Sequence, residues 1–259
     1  MKNFVKLIVS IFLFFITPLA LLADGEKNQE IFKKEFNLSL KLYEEDKLIE
    51  SFKITKLLAD QGYVDAQYNL GVYYFYGYGV MQNYEQAFKF FKLAAEKNHI
   101  NALYNLGELY YLGLGTVKDY KESARITKIL ADKNDVDGLI HLAMLYKKGI
   151  SYPKNINMAV KYLELAAKQN SSYAEYSLGK LYEEGEDVEQ NYTLAAKFYK
   201  LASNKNFVKA QKKLAELYLK GLGVKKDKKK AEDLFNLVQL NKETDSSKQI
   251  RGVILRPIS

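Results

Sequence analysis

The chain has 259 residues, 48% of them hydrophobic, with 39 Lys and Arg against 31 Asp and Glu and not one cysteine. That absence removes disulfides, thiol nucleophiles and thiolate metal sites together, so packing alone must hold whatever core forms. The net charge of +8 is uneven: residues 197–259 carry sixteen Lys and Arg against six Asp and Glu (+10), while residues 24–196 carry twenty-one against twenty-five (−4).

Residues 1–23 begin with Lys2 and Lys6, run through an apolar stretch from Leu7 to Leu22, and end on small residues, Ala20 and Ala23, before Asp24. This pattern predicts a secretory signal peptide and an exported protein, periplasmic or secreted, that has lost two lysines in its mature form. An uncleaved membrane anchor is the alternative; Pro18 and a length short of the ~20 residues that span a bilayer argue against it. Acylation as a lipoprotein is excluded for want of a cysteine, and export disfavours a nucleic-acid partner.

Residues 24–65 predict one helix pair, Ile31 to Tyr43 and Leu48 to Asp60, joined by the polar turn Glu44-Glu45-Asp46-Lys47. They lack the glycine loop found further on, as expected of a degenerate N-terminal capping repeat with one face unpartnered.

From Ala66 a strict period of 36 sets in. Blocks starting at Ala66, Ala102, Gly138, Ala174 and Ala210 align without a gap, giving repeats 66–101, 102–137, 138–173, 174–209 and 210–240. A fixed period in this range marks stacked units too small to bury their own apolar faces. Each block has Leu70, Leu106, Leu142, Leu178 or Leu214, then Gly or Ala, and four residues past the leucine Tyr74, Tyr110, Tyr146, Tyr182 or Tyr218. Leu and Tyr at i and i+4 share a helix face, which defines helix A. Helix A runs into Gly77, Gly113, Gly149, Gly185 or Gly221, fit to close a helix in the left-handed conformation. A loop then ends at Asn83, Asp119, Asn155, Asn191 or Asp227, side chains that cap the N-terminus of helix B. Helix B carries Ala87, Ser123, Ala159, Ala195 or Ala231, a large residue three positions on, and a stop at Asn98, Asn134, Asn170 or Asn206, with Gly62 in the equivalent place upstream. Asparagine tolerates the left-handed region better than other non-glycine residues.

The pattern A-x-x-x-L-G-x-x-Y-x-x-G-x-G-V, then Asn or Asp, then A-x-x-x-[FY]-x-x-A-A, written almost whole in residues 66–95 and 102–131, resembles the Sel-one-like repeat, a relative of the tetratricopeptide repeat. The resemblance implies an all-α fold, a right-handed α-solenoid of about six stacked antiparallel helix pairs, and a non-enzymatic scaffold that binds a protein or peptide on its concave face. It departs from cysteine-rich secreted relatives, whose units are disulfide-stapled.

If helix A lines a concave face, its non-framework residues are the candidate contacts: Tyr68, Phe75 and Tyr76 in the first repeat, Tyr104, Glu108, Tyr111 and Leu112 in the second, and Lys147, Lys148, Tyr176, Lys180, Glu183, Glu184, Lys212 and Lys220 further on, a groove aromatic at one end and charged at the other. Aromatic side chains offer large contact area at low entropic cost. Packing between units is the competing use of the same tyrosines. Lys225, Lys226, Lys228, Lys229 and Lys230 crowd one loop, next to the acidic loop Glu183 to Glu189. Mutual neutralisation of the two loops is the favoured expectation, and contact with an anionic surface the alternative.

Other motifs carry less. The Gly-x-Gly turns sit between helices and lack a following Lys-Ser/Thr, so they are turns and not phosphate loops. His99 and His141 occupy different places in the repeat with no further ligands, so neither metal nor cofactor is expected. Ser177-Leu178-Gly179-Lys180 spells S-x-x-K, and some secreted relatives are linked to β-lactam binding, which makes a β-lactam-binding protein or hydrolase the alternative function. No S-D-N or K-T-G accompanies it. Past Leu240 the repeat pattern stops; residues 241–259 form a tail with a short apolar run, Gln249 to Leu255.

Overall fold

The computed structural model describes residues 25–245. The expected leader (1–23) and the apolar run of the tail lie outside them. Twelve helices fill the described residues, which contain no strand: α1 Gly25–Glu44, α2 Leu48–Asp60, α3 Val64–Tyr76, α4 Tyr84–Glu96, α5 Ile100–Leu112, α6 Tyr120–Asp132, α7 Val136–Lys148, α8 Ile156–Lys168, α9 Ser172–Glu184, α10 Tyr192–Ser203, α11 Val208–Lys220 and α12 Lys228–Asp245. Odd-numbered helices are the A helices and even-numbered ones the B helices, six pairs in all. They fall into two compact units with the boundary between His99 and Ile100. The first holds α1 to α4 and the second α5 to α12; within each, every helix packs on the next in sequence. This is α-solenoid construction.

The repeated residues explain the repeated geometry. Gly77, Gly149, Gly185 and Gly221 end the A helices in the left-handed conformation, and the Asn83, Asn155 and Asn191 side chains each accept from a backbone N–H three residues on. Asp119 accepts from two N–H groups at once. Asn98, Asn134, Asn170 and Asn206 all adopt φ of 60–65°. The framework tyrosine closes the turn with its carbonyl: the N–H of each cap residue donates back to it, Asn83 to Tyr74 at 2.8 Å and Asn155 to Tyr146 at 3.0 Å. Its ring lies flat on the large helix-B residue of the same pair, with centroids 5.8 Å apart for Tyr74 on Phe90, 5.8 Å for Tyr146 on Tyr162 and 5.9 Å for Tyr182 on Phe198. The small residue after the leucine makes room for another ring. A Cβ on Gly71 would meet Phe91 at 2.6 Å, and one on Gly179 would meet Tyr199 at 2.7 Å.

Both ends depart from the sequence pattern. Helix α1 begins at Gly25, ahead of the expected Ile31, and α12 continues through Asp245, past Leu240. The column that holds the left-handed asparagines carries Lys242 in the last repeat, and Lys propagates a helix where Asn stops one.

Adjacent pairs of one unit are tied by side chains reaching back to the C-terminus of the preceding B helix. In the first unit Lys97 Nζ donates to the Gly62 carbonyl at 2.8 Å. In the second, Gln169 Nε2 donates to the Asn134 carbonyl at 3.0 Å; within a single pair, the Lys205 ammonium just past α10 meets buried Glu175 in the first turn of α9 at 2.7 Å.

Candidate functional site

In the second unit the A helices turn a common stripe toward an open cavity of about 780 Å³. Helix α7 contributes Ile140, Met144, Lys147 and Lys148, spaced i, i+4, i+7 and i+8, and α9 contributes Tyr173, Tyr176, Ser177 and Lys180 at the same periodicity. Tyr104 comes from α5 and Lys209 from α11, while Ala159 and Leu163 of α8 close the floor. The floor is apolar, the walls aromatic and the rim basic. Such a cleft suits a chain segment with an apolar side, since it buries area while the rim orients the guest.

A smaller cavity of about 220 Å³ adjoins it through shared His141 and Met144, and is lined also by Glu108, Tyr111, Ser123 and Thr127. Glu108 Oε1 stands 3.1 Å from His141 Nδ1, and the imidazole stacks on Tyr104 with centroids 5.4 Å apart. Burial pushes the Glu108 carboxyl above the ordinary carboxylate range, with His141 pulling it partly back. A raised carboxyl pKa means that the fold takes up a proton more readily than the unfolded chain does. Stability at this site is therefore fully present below the unfolded value of about 4.3 and declines as pH rises through the folded one. Glu108→Gln should accordingly gain thermal stability relative to the parent between pH of about 4 and 7. A constant difference across that range would show that the carboxylate is charged at no cost.

The candidate contacts separate in the structure. Tyr104, Tyr176 and Lys180 line the larger cavity and Glu108 and Tyr111 the smaller one. Tyr68 and Phe75, expected on a contact face, are instead core: Tyr68 is 0% and Phe75 5% exposed. Tyr68 is stacked on His99 at 4.5 Å and packed on Phe91, and Phe75 is wedged between Tyr76 and Tyr84. Tyr76 is half-buried, stacked on Tyr78 at 5.2 Å. Ile140, Met144, Tyr173 and Lys209 were missed by pattern reading. Tyr173 could have been found, because it sits three residues before Tyr176 and seven before Lys180, on the same stripe.

Ser177 and Lys180 both line the larger cavity, but each is engaged with another partner. The serine hydroxyl donates to the Tyr173 carbonyl at 2.8 Å, the Lys180 ammonium lies 3.3 Å from Glu184, and no hydrogen bond joins the two among the described residues.

Nor do the acidic and basic loops neutralise each other as expected. Glu183 takes Lys213 at 3.1 Å and the Tyr199 hydroxyl at 2.5 Å; burial first, and then this bond, raises the Tyr199 pKa. Glu184 faces Lys147 and Lys180, and Asp187 pairs with Lys154 at 2.5 Å. The acidic run thus pairs mainly upstream, along the loop edge of its own and the preceding pair. Of the basic loop, Lys230 pairs with Asp227 at 3.2 Å, while Lys225, Lys226, Lys228 and Lys229 are exposed and form no ion pair among the described residues. Three of these lysines open α12, where the helix dipole already disfavours cations. Replacing all five with serine should leave the melting temperature unchanged or slightly raised. A clear fall would mean that the loop holds the last pair in place.

A stack of 36-residue helix pairs whose variable side chains gather on the A helices defines an α-solenoid repeat protein. Residues 64–99, 100–135, 136–171, 172–207 and 208–237 each match the Sel1 repeat, and the chain belongs to that family. Sel1 repeat proteins generally mediate protein–protein interaction and are typically non-enzymatic scaffolds. Among solved structures the chain is similar to a protective antigen of uropathogenic Escherichia coli strains with an SLR fold, at 28% identity and a TM-score of 0.76, over 83% of this chain and 48% of the antigen. It therefore spans about half the length of that protein. A Sel1 repeat protein from Oxalobacter formigenes is similar at 26% identity and a TM-score of 0.71, over 80% of this chain and 82% of the other. An immunity protein from Pseudomonas aeruginosa, at 19% identity and a TM-score of 0.52, over 78% of this chain and 81% of its own, shares the fold. A search of curated proteins finds no match.

Proposed function

We propose that the chain is an exported, non-enzymatic scaffold whose second unit holds a segment of a partner protein against its A helices. One observation carries the reading: the residues that vary between repeats on α5, α7, α9 and α11 converge on a single cavity of about 780 Å³ with an apolar floor. Export rests on the charged, apolar and small-residue order of residues 1–23. The exposed lysines of the basic loop supply a secondary contact for an anionic surface, through charges that salt screens over ~8 Å at physiological ionic strength.

The test is affinity capture from the native envelope fraction with the mature chain and with a Tyr104→Ala/Tyr176→Ala variant of unchanged helical content. A partner retained by the parent and lost by the variant supports the reading. A partner held equally by both places binding elsewhere. Intact mass after incubation with a penicillin provides the other control, and an adduct on Ser177 would replace the scaffold with an acyl-enzyme.

A further inference from the structure

Resting on the reading of this groove as a protein-binding site, we infer that its occupant is an acidic segment: an extended stretch of a partner chain in which carboxylates are interspersed with apolar side chains. The charges lining the cavity are one-sided. Lys147, Lys148, Lys180 and Lys209 stand against Asp137 alone, and the lysines come from three successive A helices, so the positive rim runs along the groove rather than sitting at one end. A concave site of one sign over an apolar floor focuses potential and favours a guest of the opposite sign.

The lysines are available to such a guest. Lys148 and Lys209 are exposed and form no ion pair among the described residues. Lys147 and Lys180 share Glu184 at 3.9 and 3.3 Å with all three side chains at least one-third exposed, contacts weak enough for a guest carboxylate to displace. The floor asks for apolar groups through Ile140, Met144 and Leu163, and Tyr173, 51% exposed, stands at the wall with its ring edge-on to Phe207. An extended chain alternates its side chains between two faces, so apolar residues can enter the floor while carboxylates reach the rim. The shape of the cavity selects a chain over a lipid surface, because a flat array of headgroups cannot enter a cleft.

Three rhodamine-labelled decapeptide pools test this, each alternating Leu, Val or Phe with Glu, with Gln or with Lys, titrated by fluorescence anisotropy into the full chain and into Lys148→Gln/Lys209→Gln. Those two side chains are exposed, so the variant keeps its fold. The glutamate pool should bind about tenfold more tightly than the glutamine pool, the scale of one or two partly screened charge contacts, and the preference should shrink in the variant and at high salt. Equal binding of the glutamate and glutamine pools would overturn the acidic preference while leaving the groove reading intact. So would a preference unchanged in the variant, which would place the charge contact elsewhere. Binding of none of the pools would remove both. A single-stranded oligothymidylate that outcompetes the glutamate pool would assign the rim to a nucleic acid and overturn the inference.

Discussion

Truncating Leu142 to alanine is expected to lower stability by about 2–5 kcal/mol, the range for a fully buried leucine whose surroundings cannot collapse into the space left. Leu142 is 0% exposed and sits in a cluster drawn from four consecutive helices, with Ala124 and Ala131 of α6, Ala159, Leu163 and Ala166 of α8, and Leu178 and Leu181 of α9. Each helix pair buries its apolar face only against its neighbours, so one cavity here loosens two junctions rather than one. Urea unfolding would show a midpoint well below that of the parent. An unchanged midpoint would mean that the repeated leucine is not core.

Gly223→Ala is expected to cost about 2–4 kcal/mol, combining the strain of a left-handed alanine with overpacking against backbone. Gly223 has φ of +65°, and a Cβ there would lie 2.1 Å from the Tyr192 carbonyl. The backbone cannot yield as a flexible side chain would. The same approach recurs in the first unit, where a Cβ on Gly79 would lie 2.3 Å from the Leu48 carbonyl oxygen. In both cases the second glycine of the Gly-x-Gly turn rests on the start of the preceding B helix. Ser151 fills the equivalent place in the third repeat at φ of 62° and donates its hydroxyl to the Tyr120 carbonyl at 2.8 Å, so Gly223→Ser should be milder than Gly223→Ala. If Gly223→Ala unfolds at the same midpoint as the parent, the turn is looser than this packing requires.

The framework could be read from the chain because its structural decisions recur from repeat to repeat: leucine for the core, glycine closing helix A and Asn or Asp capping helix B in all five, and asparagine as the left-handed stop of helix B in four. The contact face was harder to read, because it depends on which neighbour reaches a given column. Tyr68 and Tyr104 hold the same place in successive repeats. Yet Tyr68 is wholly buried against Phe91 and His99, while Tyr104 stays half-buried beside an open cavity. Column position fixes the helix face, but the size of the residues packed opposite fixes exposure. The loops failed for a related reason. Loops on one edge of a solenoid have neighbours both upstream and downstream, and proximity of Glu183–Glu189 to the lysine run in sequence does not say which side the carboxylates will take. Lys154 and Lys147 upstream, with Lys213, take most of them.

The claim that a partner segment occupies the groove of the second unit can be read from its methionines. The chain has four; Met144 lines both cavities of the second unit, whereas Met81 lies in the first unit with 87% of its surface exposed. With methyl-labelled methionine and the glutamate-containing decapeptide pool as probe, the Met144 methyl resonance should shift progressively on titration while that of Met81 stays in place. A titration that saturates with Met144 unmoved would contradict the account.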